Sequence, residues 1–190
     1  MVGMRRFFNK AQSESTKIGQ QEHMGQYFNH LRRILWSPEF EWVETSDEAA
    51  DIINKPHEDF PDKVPLTKLA IETSRPLIMV SNLIAIHIRI FEGEEFSGLL
   101  RNTNVEVDNH TPPDWTKVMN FMIELQMIHR PKFENVGDIS IQLIEDLKNW
   151  YSDFETIHPF EDGNGRVGGV TVAIHSYAWY PDKGFLVPLQ

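Results

Sequence analysis

The sequence predicts an all-α domain carrying one small β-hairpin. Three observations lead there. Apolar residues recur at spacings of three and four along most of the chain. One stretch alone, around Asn102–Asn104, has β-branched and apolar residues on both sides of a turn-like tripeptide. And 190 residues are enough to enclose a core.

Taken in order, residues 1 to about 18 are polar and read as a loose arm. Gln21 to Leu35 puts Met24, Tyr27, Phe28, Leu31, Ile34 and Leu35 on one face, the pattern of an amphipathic helix. Ser46 and Asp47 open a short helix through Ile53, with Pro56 as its stop. KPHEDFPDKVP, from Lys55 to Pro65, is a loop. Ser74 as N-cap and Pro76 in the first turn start a core helix that runs to about Phe91. Ser97 to Val107 is the hairpin. After the loop DNHTPPDW comes a helix from Asp114 to His129, buried through Trp115, Val118, Phe121, Met122 and Leu125 and ending before Pro131. Ser140 to His158 carries the strongest stripe, with Leu143, Ile144, Leu147, Trp150, Tyr151, Phe154 and Ile157; Pro159 breaks it. Arg166 to about Trp179 forms the last helix, stopped by Pro181. The chain divides near residue 60, with residues 1–60 an arm and helices packing on the core and residues 61–190 the main domain.

Hydrophobic residues make up 41% and charged residues 24%, a soluble globular composition. The net charge of -10 argues against a nucleic-acid groove, which shows a basic face. A nucleotide is compatible, since one arginine and a metal neutralise its phosphates. The absence of cysteine removes disulfides, thiolate metal sites and a cysteine nucleophile, and leans towards a reducing, cytoplasmic setting. PLIMVSNLIAIHIRIF, Pro76 to Phe91, is the most apolar run. It holds Asn82, His87 and Arg89 and is shorter than the ~20 residues that span a bilayer, so no membrane association is expected.

The chemistry is concentrated in HPFEDGNGRVGG, His158 to Gly169. Glycines around Asn164 free the backbone to turn amides inward just where the last helix begins, and a helix start is an anion site. Arg166 adds a fixed cation for phosphate. Asp162 is a hard oxygen ligand suited to Mg²⁺ shared with phosphate oxygens. His158 is a base that titrates near neutrality. The embedded GxGxxG (Gly163, Gly165, Gly168) is not a dinucleotide fingerprint, because it follows a helix and a proline rather than a strand. A Walker loop is absent too.

HPFEDGNGR resembles the signature of the Fic (filamentation induced by cAMP) family, H-P-F-x-D/E-G-N-G-R-x-x-R, over nine consecutive positions, with Glu161 at the free one. FSGLLRNTNVEV followed by PPDW is similar to the family's flap and the proline-rich turn after it, so the likeness covers about Pro65 to the C-terminus. It implies a Fic-type helical core with a small β-hairpin flap. The activity it implies is transfer of AMP from ATP to a Ser, Thr or Tyr hydroxyl of a partner protein, with release of pyrophosphate. The resemblance makes His158 the general base, Asp162 the ligand of Mg²⁺ (or Mn²⁺), and Gly163, Asn164, Gly165 and Arg166 the phosphate cradle. Phe160 is an anchor in the core. Gly98, Leu99, Leu100 and Arg101, in the flap, align the target backbone. Relatives that act as kinases or use other phosphate-containing donors, and a non-catalytic nucleotide-binding module, are the alternatives. The sequence neither requires nor excludes a homodimer.

Gly169 departs from the pattern, standing where the family has its second arginine. Three residues beyond Arg166, that side chain would face the same way and reach the terminal phosphate. Losing it removes a contact worth about 1.5–3 kcal/mol, which implies an attenuated enzyme. Restoring it by Gly169→Arg is then expected to raise activity with ATP. The same arginine pairs with a glutamate in self-inhibited relatives, through S/T-x-x-x-E-G/N. Only Ser37, with Glu41, comes near that pattern, and Pro38 and Trp42 spoil it. His23, His30, His57, His110 and His129 show no ligand spacing, and His87 and His175 read as satisfied core histidines.

Overall fold

A computed structural model describes residues 39–54, 78–107, 110–134 and 141–189. The helix expected over Gln21–Leu35, the cap at Ser74 and Pro76, and Ser37 lie outside these residues. The described elements run β1 (Glu39–Val43), α1 (Ser46–Asn54), α2 (Val80–Ile90), a 3-10 turn (Trp115–Lys117), α3 (Val118–Glu134), α4 (Ile141–Ile157), α5 (Asn164–Trp179), a second 3-10 turn (Pro181–Lys183) and β2 (Phe185–Leu189). The all-α class holds.

Helix α5 is the centre of the fold. Its residues from Arg166 to Ser176 are all buried, and it touches α1, α2, α4 and β2. A helix enclosed on every side needs small residues where neighbours press closest, and the two glycines supply them. A Cβ at Gly168 would lie 2.7 Å from Tyr151 Cε2 on α4, and one at Gly169 would lie 3.1 Å from Ile53 Cγ1 on α1. Helix α4 contributes the stripe read in the sequence, with Leu143, Leu147, Trp150, Tyr151, Phe154 and Ile157 buried. Helix α3 packs on α4, and the two are joined by a hydrogen bond of 3.0 Å between buried His129 Nε2 and Asp153 Oδ2.

Strands β1 and β2 pair antiparallel, Glu39 opposite Leu189 and Val43 opposite Phe185. Gly184 makes the entry to β2 possible: its φ is +84°, and a Cβ there would lie 2.1 Å from the Val43 carbonyl oxygen. Ser176 then ties α5 to the strand, its Oγ accepting the Leu186 N–H at 2.8 Å. Neither strand was read from the sequence. Glu41 sits in β1, whereas Ser37 of the degenerate inhibitory pattern lies outside the described residues.

Three boundaries differ from the sequence reading. The core helix starts at Val80, with Met79 extended before it, because Gln126 Oε1 on α3 takes the Val80 N–H at 3.0 Å. Helix α3 continues past Pro131 to Glu134. A proline there removes only a last-turn bond, and buried Phe133, stacked 6.2 Å from His129, anchors the turn. The segment Ser97–Val107 has the extended stretch expected of it but does not pair with itself. Its backbone bonds to the motif loop instead, Leu100 bridging Phe160, while Val107 bridges His110.

Candidate active site

The motif loop is the connection between α4 and α5, and each of its turns has a local cause. His158 leaves α4 with φ +48°, an unusual conformation for a residue with a side chain. Its peptide is held from both sides: its N–H donates to the Phe154 carbonyl at 3.0 Å, and its carbonyl accepts from Arg101 Nε at 2.7 Å. The imidazole is thereby turned out of the helical stripe, with its side chain still 18% exposed. Burial, and after it the Arg101 guanidinium, push its pKa down to about 4, so the ring is neutral at pH 7. Glu155 Oε2 lies 3.9 Å from His158 Nδ1. Burial pushes that carboxyl up to about 8.

Phe160 is fully buried and stacks on His87, ring centroids 4.1 Å apart. Asn164 closes the loop: its Oδ1 accepts the Phe160 N–H and its Nδ2 donates to the Phe160 carbonyl, both at 2.9 Å. The Asn164 side chain is therefore a strut, and only its backbone amide faces the helix start. Gly163 precedes α5 with φ +77°, and a Cβ there would lie 2.2 Å from the Phe91 ring. Only glycine fits on both counts. The first helical bond of α5 is Val167 N–H to the Gly163 carbonyl, which leaves the amides of Asn164, Gly165 and Arg166 outside the helical ladder.

Arg166 is buried, its guanidinium 4.3 Å above the Phe91 ring and its Nη2 3.5 Å from Asp162 Oδ2. Asp162 is more open, its side chain 36% exposed, and it accepts the Gly163 N–H through its other oxygen. Among the described residues no three His, Asp or Glu side chains converge. A divalent cation here would take one protein carboxylate, with phosphate and water oxygens for the rest, a common arrangement for Mg²⁺.

The profile of the Fic/DOC family matches residues 77–175, just over half of the chain. The chain belongs to the Fic/DOC family. No curated protein matches it. Within the Fic region the structure brings His158, Asp162, Gly163, Asn164, Gly165 and Arg166 together on one loop and one helix start. The flap residues divide. Leu99 is 60% exposed, but Gly98 donates its N–H to His87 Nδ1 at 2.9 Å and Leu100 bridges Phe160. Arg101 is 3% exposed. Its guanidinium donates to the carbonyls of His158, Thr103, Pro113 and Ile157, and its N–H to that of Pro159. Its side chain is a strut within the Fic domain, not a surface for a partner.

Two supports of this Fic site were not foreseen as such. His87 was read as a satisfied core histidine, and it is one. Its Nε2 lies 3.1 Å from the Asp162 carbonyl, which can only accept, so Nε2 carries the hydrogen and Nδ1 receives the Gly98 N–H. One neutral ring thus joins α2, the flap and the motif loop. Phe91 carries Gly163 and Arg166 and packs 4.8 Å from Phe96. In the sequence its sole signal was its place at the end of an apolar run.

Proposed function

We propose that the chain is a protein-modifying transferase that moves a nucleotide-derived phosphate group onto a Ser, Thr or Tyr hydroxyl, with AMP from ATP the form that the family resemblance implies. The observation that carries this reading is His158: a neutral imidazole turned out of its helix, on the same loop as a half-open carboxylate and a helix start. A ring that is unprotonated at pH 7 accepts the hydroxyl proton as the oxygen attacks phosphorus. The amides of Asn164 and Gly165, the dipole of α5 and the Arg166 cation favour the phosphates. Asp162 would hold Mg²⁺ or Mn²⁺, which supplies charge neutralisation between the phosphates when bound. The exposed stretch from Asn102 to Asn104, beside Leu99, offers backbone against which an extended target segment can lie.

The test is label transfer from ATP, GTP, CTP and UTP, labelled at the α- or γ-phosphate, to proteins of a cell extract in the presence of Mg²⁺. Transfer of the α-label, lost in His158→Ala while nucleotide binding persists, supports the proposal. Transfer of the γ-label alone would make the chain a kinase instead. No transfer of either label, or wild-type turnover in His158→Ala, refutes it.

A further inference from the structure

The imidazole of His158 is met twice by one residue. Pro159 has no N–H, so the Glu155 carbonyl at the end of α4 lacks its helical donor, and it hydrogen-bonds the His158 ring instead. The carboxyl of the same residue lies on the same side, its Oε2 3.9 Å from His158 Nδ1. Its other oxygen, Oε1, is buried without a hydrogen-bond partner, and a Cβ at position 168 on α5 would lie 3.1 Å from it. A buried carboxyl with an open oxygen is costly and calls for a reason. Burial alone raises its pKa, so no fixed cation accounts for its place. The other ionisable groups that act on the ring are Arg101, His110 and Asp162. Arg101 has no acceptor to offer, His110 Nε2 is spent on the Thr156 carbonyl at 2.8 Å, and the Asp162 carboxylate is turned to Gly163 and Arg166.

We infer that Glu155 is a positioning residue for His158: its carboxyl, beside its backbone carbonyl, keeps the imidazole hydrogen on Nδ1 and leaves Nε2 free to take the proton of the target hydroxyl. This rests on the proposed function and adds to it a group that does not touch the substrate. The role needs an acceptor and not a charge. Both oxygens of a carboxylate accept, and so does the carbonyl oxygen of a protonated carboxyl. At 3.9 Å the contact is longer than a hydrogen bond, as catalytic contacts often are before substrate binds. When the hydroxyl proton reaches Nε2 the ring becomes an imidazolium, with its Nδ1–H still facing Glu155.

The experiment is nitrogen–proton correlation spectroscopy of the full chain with labelled histidine at pH 7, where the shifts of Nδ1 and Nε2 report which nitrogen carries the hydrogen. His158→Ala assigns the ring. The same spectra are taken of Glu155→Gln, which keeps an oxygen acceptor, and of Glu155→Met, which keeps the length without one. Melting curves establish that each is folded. Each is then assayed for α-label transfer from ATP in Mg²⁺ to proteins of a cell extract. Wild type and Glu155→Gln are expected to hold the hydrogen on Nδ1. Glu155→Met is expected to shift it towards Nε2 and to lose about tenfold or more in kcat, with KM for ATP within about twofold of wild type, since a base in the wrong tautomer cannot take the proton. Wild-type His158 with its hydrogen on Nε2 overturns the inference without any variant. So does a folded Glu155→Met that keeps the wild-type tautomer, or a Glu155→Gln as impaired as Glu155→Met. The wild-type and Glu155→Gln spectra decide the matter should Glu155→Met fail to fold. Wild type that transfers no α-label refutes the proposed function alone, because the spectra read the ring without nucleotide or target.

Discussion

The Asn164 carboxamide grips both backbone polar groups of Phe160, accepting its N–H and donating to its carbonyl at 2.9 Å each. One side chain on the first residue of α5 thus sets the shape of the loop that carries His158 and Asp162.

Replacing it by alanine leaves a buried N–H and a buried carbonyl without partners, at about 1–3 kcal/mol apiece. Asn164→Ala is therefore expected to lose about 2–6 kcal/mol in urea denaturation and to lose nucleotide affinity with it. A variant that binds nucleotide normally and unfolds at the wild-type midpoint would remove the strut assignment.

Asp162→Ala should act differently. The Asp162 side chain is half-open and its place in the fold is held by its backbone carbonyl, which accepts from His87. Stability is expected to fall by more than a surface substitution costs, because the buried Arg166 guanidinium loses the Asp162 carboxylate and the Gly163 N–H loses its acceptor. Nucleotide binding should lose its dependence on Mg²⁺. Calorimetry with and without the cation reads this directly, and an undiminished metal dependence would assign the ligand elsewhere.

The sequence alone suggested that Gly169→Arg would raise activity with ATP. The structure adds a packing cost to that substitution, because a Cβ at 169 would lie 3.1 Å from Ile53 Cγ1 on α1. Overpacking of this kind costs about 1–3 kcal/mol and outweighs the gain in helix propensity, about 0.8–1 kcal/mol. The melting temperature of Gly169→Arg should fall, and combining it with Ile53→Ala should restore part of the loss. A single variant that melts higher than wild type would contradict the packing described.

Stability should decline on both sides of a maximum in mildly acidic to neutral solution. Burial holds His158 and His175 down to about 4, below the ordinary 6.5. Their stabilising contribution is complete above pH 6.5 and is lost as pH falls towards 4, up to about 3 kcal/mol each. Glu155, raised from 4.5 to about 8, has the opposite sign: its contribution is complete below pH 4.5 and is lost as pH rises through 8. Urea midpoints between pH 4 and 9 should show His158→Ala with a shallower acid limb and Glu155→Gln with a shallower alkaline one. A Glu155→Gln variant that weakens above pH 7 as steeply as wild type would show that this carboxyl is already ionised.

Much of the site was legible because its residues are consecutive. A base, an acid, two glycines and an arginine within one loop bring themselves together, and α4 and α5 were fixed by apolar spacing and Pro159. What was not legible depends on partners distant in sequence. Nothing near Arg101 marks it as a strut, since four of the five carbonyls it serves belong to residues 113 and 157–159. The bonding of the flap was hidden for the same reason, since Leu100 bridges distant Phe160. Gly169 read as a missing cation because helical spacing reports which way a position faces and not what stands opposite.

The pairing of Glu39–Val43 with Phe185–Leu189 also sets an order of events during synthesis. At about 5–20 residues per second, the first strand waits on the order of 10 s for its partner to be made. Helix α1 follows β1 directly and packs on β2 as well as on α5, so part of its packing waits for that last strand. His158, Asp162 and Arg166 emerge earlier, so the motif loop is made before the sheet can close.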